Sequence, residues 1–142
     1  MQRLAYGTWL VIAARNVERE RLGERTLLEA AQRLAAAWPL GAAVQGRVLG
    51  QDGPTHAVAG PRGSLLLHAF PGEEGLVVAA FCVGEVSPAR FVERVEQIFG
   101  LSVYDLQSGR YGALLPQNRD VFERLLLGER FMARARLVPT LD

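Results

Sequence analysis

The stretch from Gly53 to Gly84, GPTHAVAGPRGSLLLHAFPGEEGLVVAAFCVG, leaves this chain the least freedom in how it folds. Ser64–Phe70 and Gly75–Val83 are apolar runs of strand length, and Pro71-Gly72-Glu73-Glu74 between them carries turn chemistry. The pattern predicts a β-hairpin. Both histidines of the chain, His56 and His68, and its one cysteine, Cys82, lie in the same stretch. Fold and chemistry are therefore to be sought together here.

The rest of the chain reads as elements that would pack around that hairpin. Thr8–Ala14 is an apolar first strand. Thr26 and Glu29 have capping-box spacing, and Leu27, Ala31, Leu34, Ala35 and Trp38 then recur as a helical stripe ended by Pro39 and Gly41. Ala42–Leu49 and Thr55–Ala59 are strand candidates, with Gly50-Gln51-Asp52-Gly53 as the turn between them. Ser87-Pro88 opens a second helix whose buried face is Phe91, Val92, Val95, Ile98 and Phe99, stopped by Gly100. Leu101–Leu106 is a last strand. The order β-α-β-β-β-α-β predicts an α+β, two-layer sandwich, with helices on one face of a mainly antiparallel sheet. This domain takes residues 1–112. Residues 113–142 form a C-terminal extension, in which Val121, Phe122, Leu125 and Leu126 predict a short helix broken at Gly128. Arg130, Arg134 and Arg136 make its end basic. A solvated tail or dimer contact is the plain reading, since Phe131 alone stands among these arginines, short of the interleaved aromatics that RNA binding would want.

Composition removes several function classes. With a formal net charge of +1 over 142 residues, no strong field calls for nucleic acid or an anionic membrane. All 16 basic residues are arginine, which removes lysine nucleophiles and Schiff-base lysines. Two histidines and one cysteine fall short of the usual zinc ligand set. A lone cysteine makes no internal disulfide, in keeping with a cytoplasmic location. The opening Met1-Gln2-Arg3 and apolar run imitate a signal peptide. Gly7-Thr8 interrupts the run, however, and Ile12 is poorly placed for a cut after Ala14, so a strand is the better reading.

The hairpin stretch resembles the bacterial type of S-adenosylmethionine decarboxylase, a self-cleaving pyruvoyl enzyme of polyamine synthesis. The family pattern runs through Glu-Ser-His, Ile-His-Thr-Trp-Pro-Glu and Phe-Thr-Cys-Gly blocks. LHAFPG at Leu67–Gly72 and FCVG at Phe81–Gly84 take the places of the second and third without a gap. YGTWLV at Tyr6–Val11 resembles the family's opening strand, with Thr8 and Trp9 in place of an arginine and a histidine.

What the resemblance implies is a serine that attacks the carbonyl before it, splits the chain and leaves a pyruvoyl electron sink, assisted by a histidine and a hydroxyl, with a cysteine returning a proton. Carried over residue by residue, the assisting groups are His68 and Thr55, and the family's tryptophan is Phe70. The cleavage serine becomes Gly63, the glutamate before it Arg62, and the proton-donor cysteine Val83, with Cys82 one place early. No nucleophile remains at 63. The expectation is a remnant site of Thr55, His68, Phe70, Arg62 and Gly63, without a pyruvoyl group. Its function would be to bind a nucleoside or amine, or to regulate a catalytic paralogue, as a homodimer with no nucleic-acid or membrane partner. The alternative is an active decarboxylase whose site has moved by one step in both strands, to Ser64 and Cys82. GPRGS at Gly60–Ser64 reads either as an anion-binding nest or as a tight turn.

Overall fold

Period-two burial in four central strands sets the architecture. In the computed structural model, which describes residues 2–3, 7–111, 114–115 and 119–137, buried and less buried positions alternate along each of them. The described residues form β1 (Gln2–Arg3), β2 (Gly7–Arg15), α1 (Glu24–Ala37), β3 (Val44–Leu49), β4 (Pro54–Gly60), β5 (Gly63–Phe70), β6 (Gly75–Val83), α2 (Ala89–Phe99), β7 (Val103–Tyr111), β8 (Leu114–Leu115) and α3 (Arg119–Leu137). They fall into two units, Gly7–Tyr111 and Met1–Tyr6 with Gly112–Asp142.

The larger unit is an α+β fold built on a six-stranded sheet in the order β3-β4-β5-β6-β2-β7, antiparallel throughout. One face carries Leu10, Ile12, Val58, Leu65, Leu67, Val78 and Cys82. These form one core with Leu27, Ala31 and Leu34 of α1 and Phe91, Val95 and Phe99 of α2. Trp38, just beyond α1, meets the Phe91 ring at 5.0 Å and donates its Nε1–H to the Phe81 carbonyl at 3.0 Å. The indole thus buries its area without stranding its donor. Gly100 ends α2 in a left-handed conformation (φ 61°), and Arg21 donates to the Ile98 carbonyl in that last turn.

The expected segments are the observed ones, but four strands, β3 to β6, lie between the two helices where the order β-α-β-β-β-α-β counts three, and the boundaries differ for physical reasons. Helix α1 begins at Glu24 behind Gly23, so Thr26 lies inside the first turn and bonds back to the Glu20 carbonyl at 3.3 Å; the capping box does not form. Helix α2 starts at Ala89, with Pro88 as its cap. β7 runs to Tyr111, well past Leu106, because β2 offers it a continuous template from Arg15↔Val103 to Gly7↔Tyr111. An edge strand tolerates the polar Gln107-Ser108-Gly109-Arg110. In the second unit, β1 pairs with β8, and α3 passes through Gly128 without a break. A solvent-facing glycine weakens a helix by about 1 kcal/mol and does not by itself end one. Leu4, Ala5, Tyr6 and the Phe122 side chain lie outside the described residues. No described helix is long and apolar enough to cross a membrane.

Candidate functional site

The sheet face away from the core is where the polar candidates gather. Thr55 on β4 stands directly opposite His68 on β5, and Thr55 Oγ1 and His68 Nδ1 are hydrogen-bonded at 2.8 Å. The bond orients the imidazole and leaves Nε2 for another partner. Phe70, two residues along β5, shares that face. Beside it lies a cavity of about 570 Å³ lined by Ala13, Arg15, Asn16, Phe70, Glu73 and Val77, among others. Val77 is also the β6 partner of His68, so the cavity adjoins the Thr55–His68 pair. Two non-glycine residues in the left-handed region, Asn16 (φ 59°) and Glu74 (φ 52°), mark the turns at this end, and Val17 N–H donates to the Glu74 carbonyl at 3.0 Å. Phe70, Glu73 and Arg15 give the cavity an aromatic ring, a carboxylate and a guanidinium, and the His68 imidazole stands beside it.

The remaining candidates lie elsewhere. Pro61-Arg62 is a two-residue turn between the paired Gly60 and Gly63. Arg62 N–H donates to the Leu40 carbonyl, and the Arg62 carbonyl accepts from Val83 N–H at 2.7 Å, so this is a tight turn and not an open anion nest. Between Gly63 and His68 β5 is regular, which separates them by about 16 Å within one chain. Within one chain, therefore, Thr55 and His68 do not flank the cleavage position. At 63 itself, a Cβ would stand 2.2 Å from the Phe81 carbonyl oxygen and 2.9 Å from Cys82 Cα. Glycine is required there by close approach of the backbones. The site offers neither a hydroxyl nor space for one, and so does not fit formation of a pyruvoyl group.

The relocated pair is also taken apart. Gly63 pairs with Cys82 and Ser64 with Phe81, one step from the register that a joint shift of Ser64 and Cys82 assumes. Ser64 faces outward with Leu66 and His68, while Cys82 is fully buried in the core. Burial pushes its thiol upward, against smaller opposite effects of the Thr8 backbone bond and Arg62. It stays protonated and shielded. Val83, in the family's donor position, carries no proton to give.

Two polar residues matter more than their sequence context showed. Thr8 is buried, donates to the Gly84 carbonyl at 3.0 Å and accepts from Val86 N–H at 3.2 Å, tying the loop before α2 to the sheet. His56 is buried on the core face and is hydrogen-bonded through Nε2 to Gln45 Oε1 at 3.0 Å. Next to it, Arg47 pairs with Glu24 at 2.9 Å. Burial, and then Arg47, lower the His56 pKa against the opposing pull of Glu24. Among the described residues no group of three or more His, Cys, Asp or Glu side chains could hold a metal.

No family model matches the sequence, and no curated protein matches it. Among solved structures, the crystal structure of the adenosylmethionine decarboxylase from Aquifex aeolicus VF5 is similar to this chain with a TM-score of 0.69. The match has 14% sequence identity and covers 81% of this chain and 98% of that one. The chain has the fold of that decarboxylase.

Proposed function

We propose that this protein is an S-adenosylmethionine decarboxylase-like binding protein that does not process itself, carries no pyruvoyl group, and holds a small nucleoside or amine on the outer face of its sheet. The observation that carries this reading is the crowding at Gly63, where a side chain would run into the backbone of β6. The fold shared with the Aquifex decarboxylase supports a link to polyamine metabolism. Phe70, Glu73 and Arg15 around one cavity, next to an imidazole oriented by Thr55, support ligand binding over catalysis. The separation of Ser64 and Cys82 onto opposite faces counts against a relocated active site.

The test is thermal. S-adenosylmethionine and its decarboxylated analogue should raise the melting temperature by linkage, by about 3 kcal/mol of stabilisation at a hundred times the dissociation constant. Phe70→Ala should remove the effect. No shift at millimolar ligand would refute ligand binding and leave regulation of a catalytic paralogue as the role to test.

A further inference from the structure

Arg15 and Glu73 bring opposite charges to one cavity and do not pair with each other. Both line the space of about 570 Å³ beside Phe70. Both are exposed, and neither belongs to an ion pair among the described residues. Asp105, opposite Ala13 on the neighbouring strand β7, accepts a bond from Gln107 at 3.2 Å and does not neutralise Arg15. The backbone sets where the two charges stand. Arg15 ends β2 and precedes Asn16, while Glu73 precedes Glu74. Asn16 and Glu74 are the non-glycine residues held at positive φ among the described ones, and the bond from Val17 N–H to the Glu74 carbonyl ties their turns together. A cation and an anion anchored on linked turns and facing one space are complementary to a ligand that carries both signs.

We infer that this cavity selects the amino-acid head group of its ligand, with Arg15 receiving a carboxylate and Glu73 an ammonium, while Phe70 packs against the rest of the molecule. The inference rests on the proposed ligand site and narrows what that site takes. A plain amine would leave the guanidinium without a counter-charge, and an uncharged nucleoside would leave both groups without one. A carboxylate accepts paired bonds from the guanidinium fork, a geometry that neutral hydroxyls match poorly. The same grip is unsuited to decarboxylation. In that reaction the carboxylate charge departs in the transition state, so holding it tightly in the ground state raises the barrier. Arg15 therefore serves a protein that binds such a ligand intact.

Titration calorimetry on the full chain tests this with S-adenosylmethionine and its decarboxylated analogue, which share every group except the carboxylate. The wild type should bind S-adenosylmethionine about tenfold more tightly, the order expected of one charge-assisted contact. Arg15→Gln should bring the ratio of the two affinities close to unity by weakening S-adenosylmethionine alone. Arg15→Lys keeps the charge without the fork and should retain part of the preference. Glu73→Gln should weaken both ligands by a similar factor, because both carry the ammonium. A merely structural role for Arg15 would move the two affinities together and leave their ratio unchanged, and circular dichroism checks that each variant is folded. Equal affinities in the wild type, or a preference that survives Arg15→Gln, would overturn the inference while leaving the cavity as a ligand site. Binding of neither ligand would overturn the site and the inference together.

Discussion

Gly63 carries the weight of the functional reading. Its lack of a hydroxyl was plain in the sequence; the reason for glycine was not. Conformational freedom is not the cause, since 63 is absent from the positive-φ positions; the cause is the Phe81 carbonyl oxygen 2.2 Å from where a Cβ would be. Gly63→Ser should therefore cost about 1–3 kcal/mol, the range for forcing atoms into a packed site. Arg62→Glu/Gly63→Ser together should stay uncleaved over days. Urea denaturation and gel analysis check both, and a stable, self-cleaving double variant would refute the steric account. Thr55 and His68 were readable as functional groups from their types and spacing, and the structure does bring them together. Their distance from Gly63 was hidden, because it depends on β5 being regular between the two.

At the scale of elements, periodicity was informative and register was not. Alternation and the helical stripes located the hairpin, α1 and α2, because burial on one face imposes period 2 or 3.6 on apolar residues. A shift of one step in the β5–β6 pairing leaves the composition of both strands unchanged, yet it decides whether Ser64 faces Cys82 or Phe81. The turn Pro71–Glu73, closed by Phe70↔Gly75, sets that step. Edge strand β3 is joined to α1 through Arg47–Glu24, and next to that ion pair His56 is buried. Its native pKa is lowered, so the unfolded chain takes up a proton first as pH falls through about 6.5. The stability it contributes is present above that pH and is lost on acidification toward the native value. The urea midpoint should therefore fall between pH 7.5 and 5.5 more steeply for the wild type than for His56→Leu. Equal slopes would mean that His56 takes up its proton in the folded protein as readily as in the unfolded chain.

For the whole molecule, the six-stranded sheet and its single helical layer are those of a decarboxylase fold, shared at 14% identity. Identity that low preserves the burial pattern, which many apolar residues satisfy, and loses chemistry that only one residue type can perform. On the proposed reading the missing groups are those at Arg62 and Gly63 around one turn and at Val83 on β6. The central claim is that the fold persists while self-cleavage does not, and intact mass spectrometry of the purified protein, incubated for days, tests it most directly. A single species at 15.5 kDa is the predicted result. Two fragments dividing between Arg62 and Ser64, one bearing a carbonyl in place of an amino terminus, would contradict it.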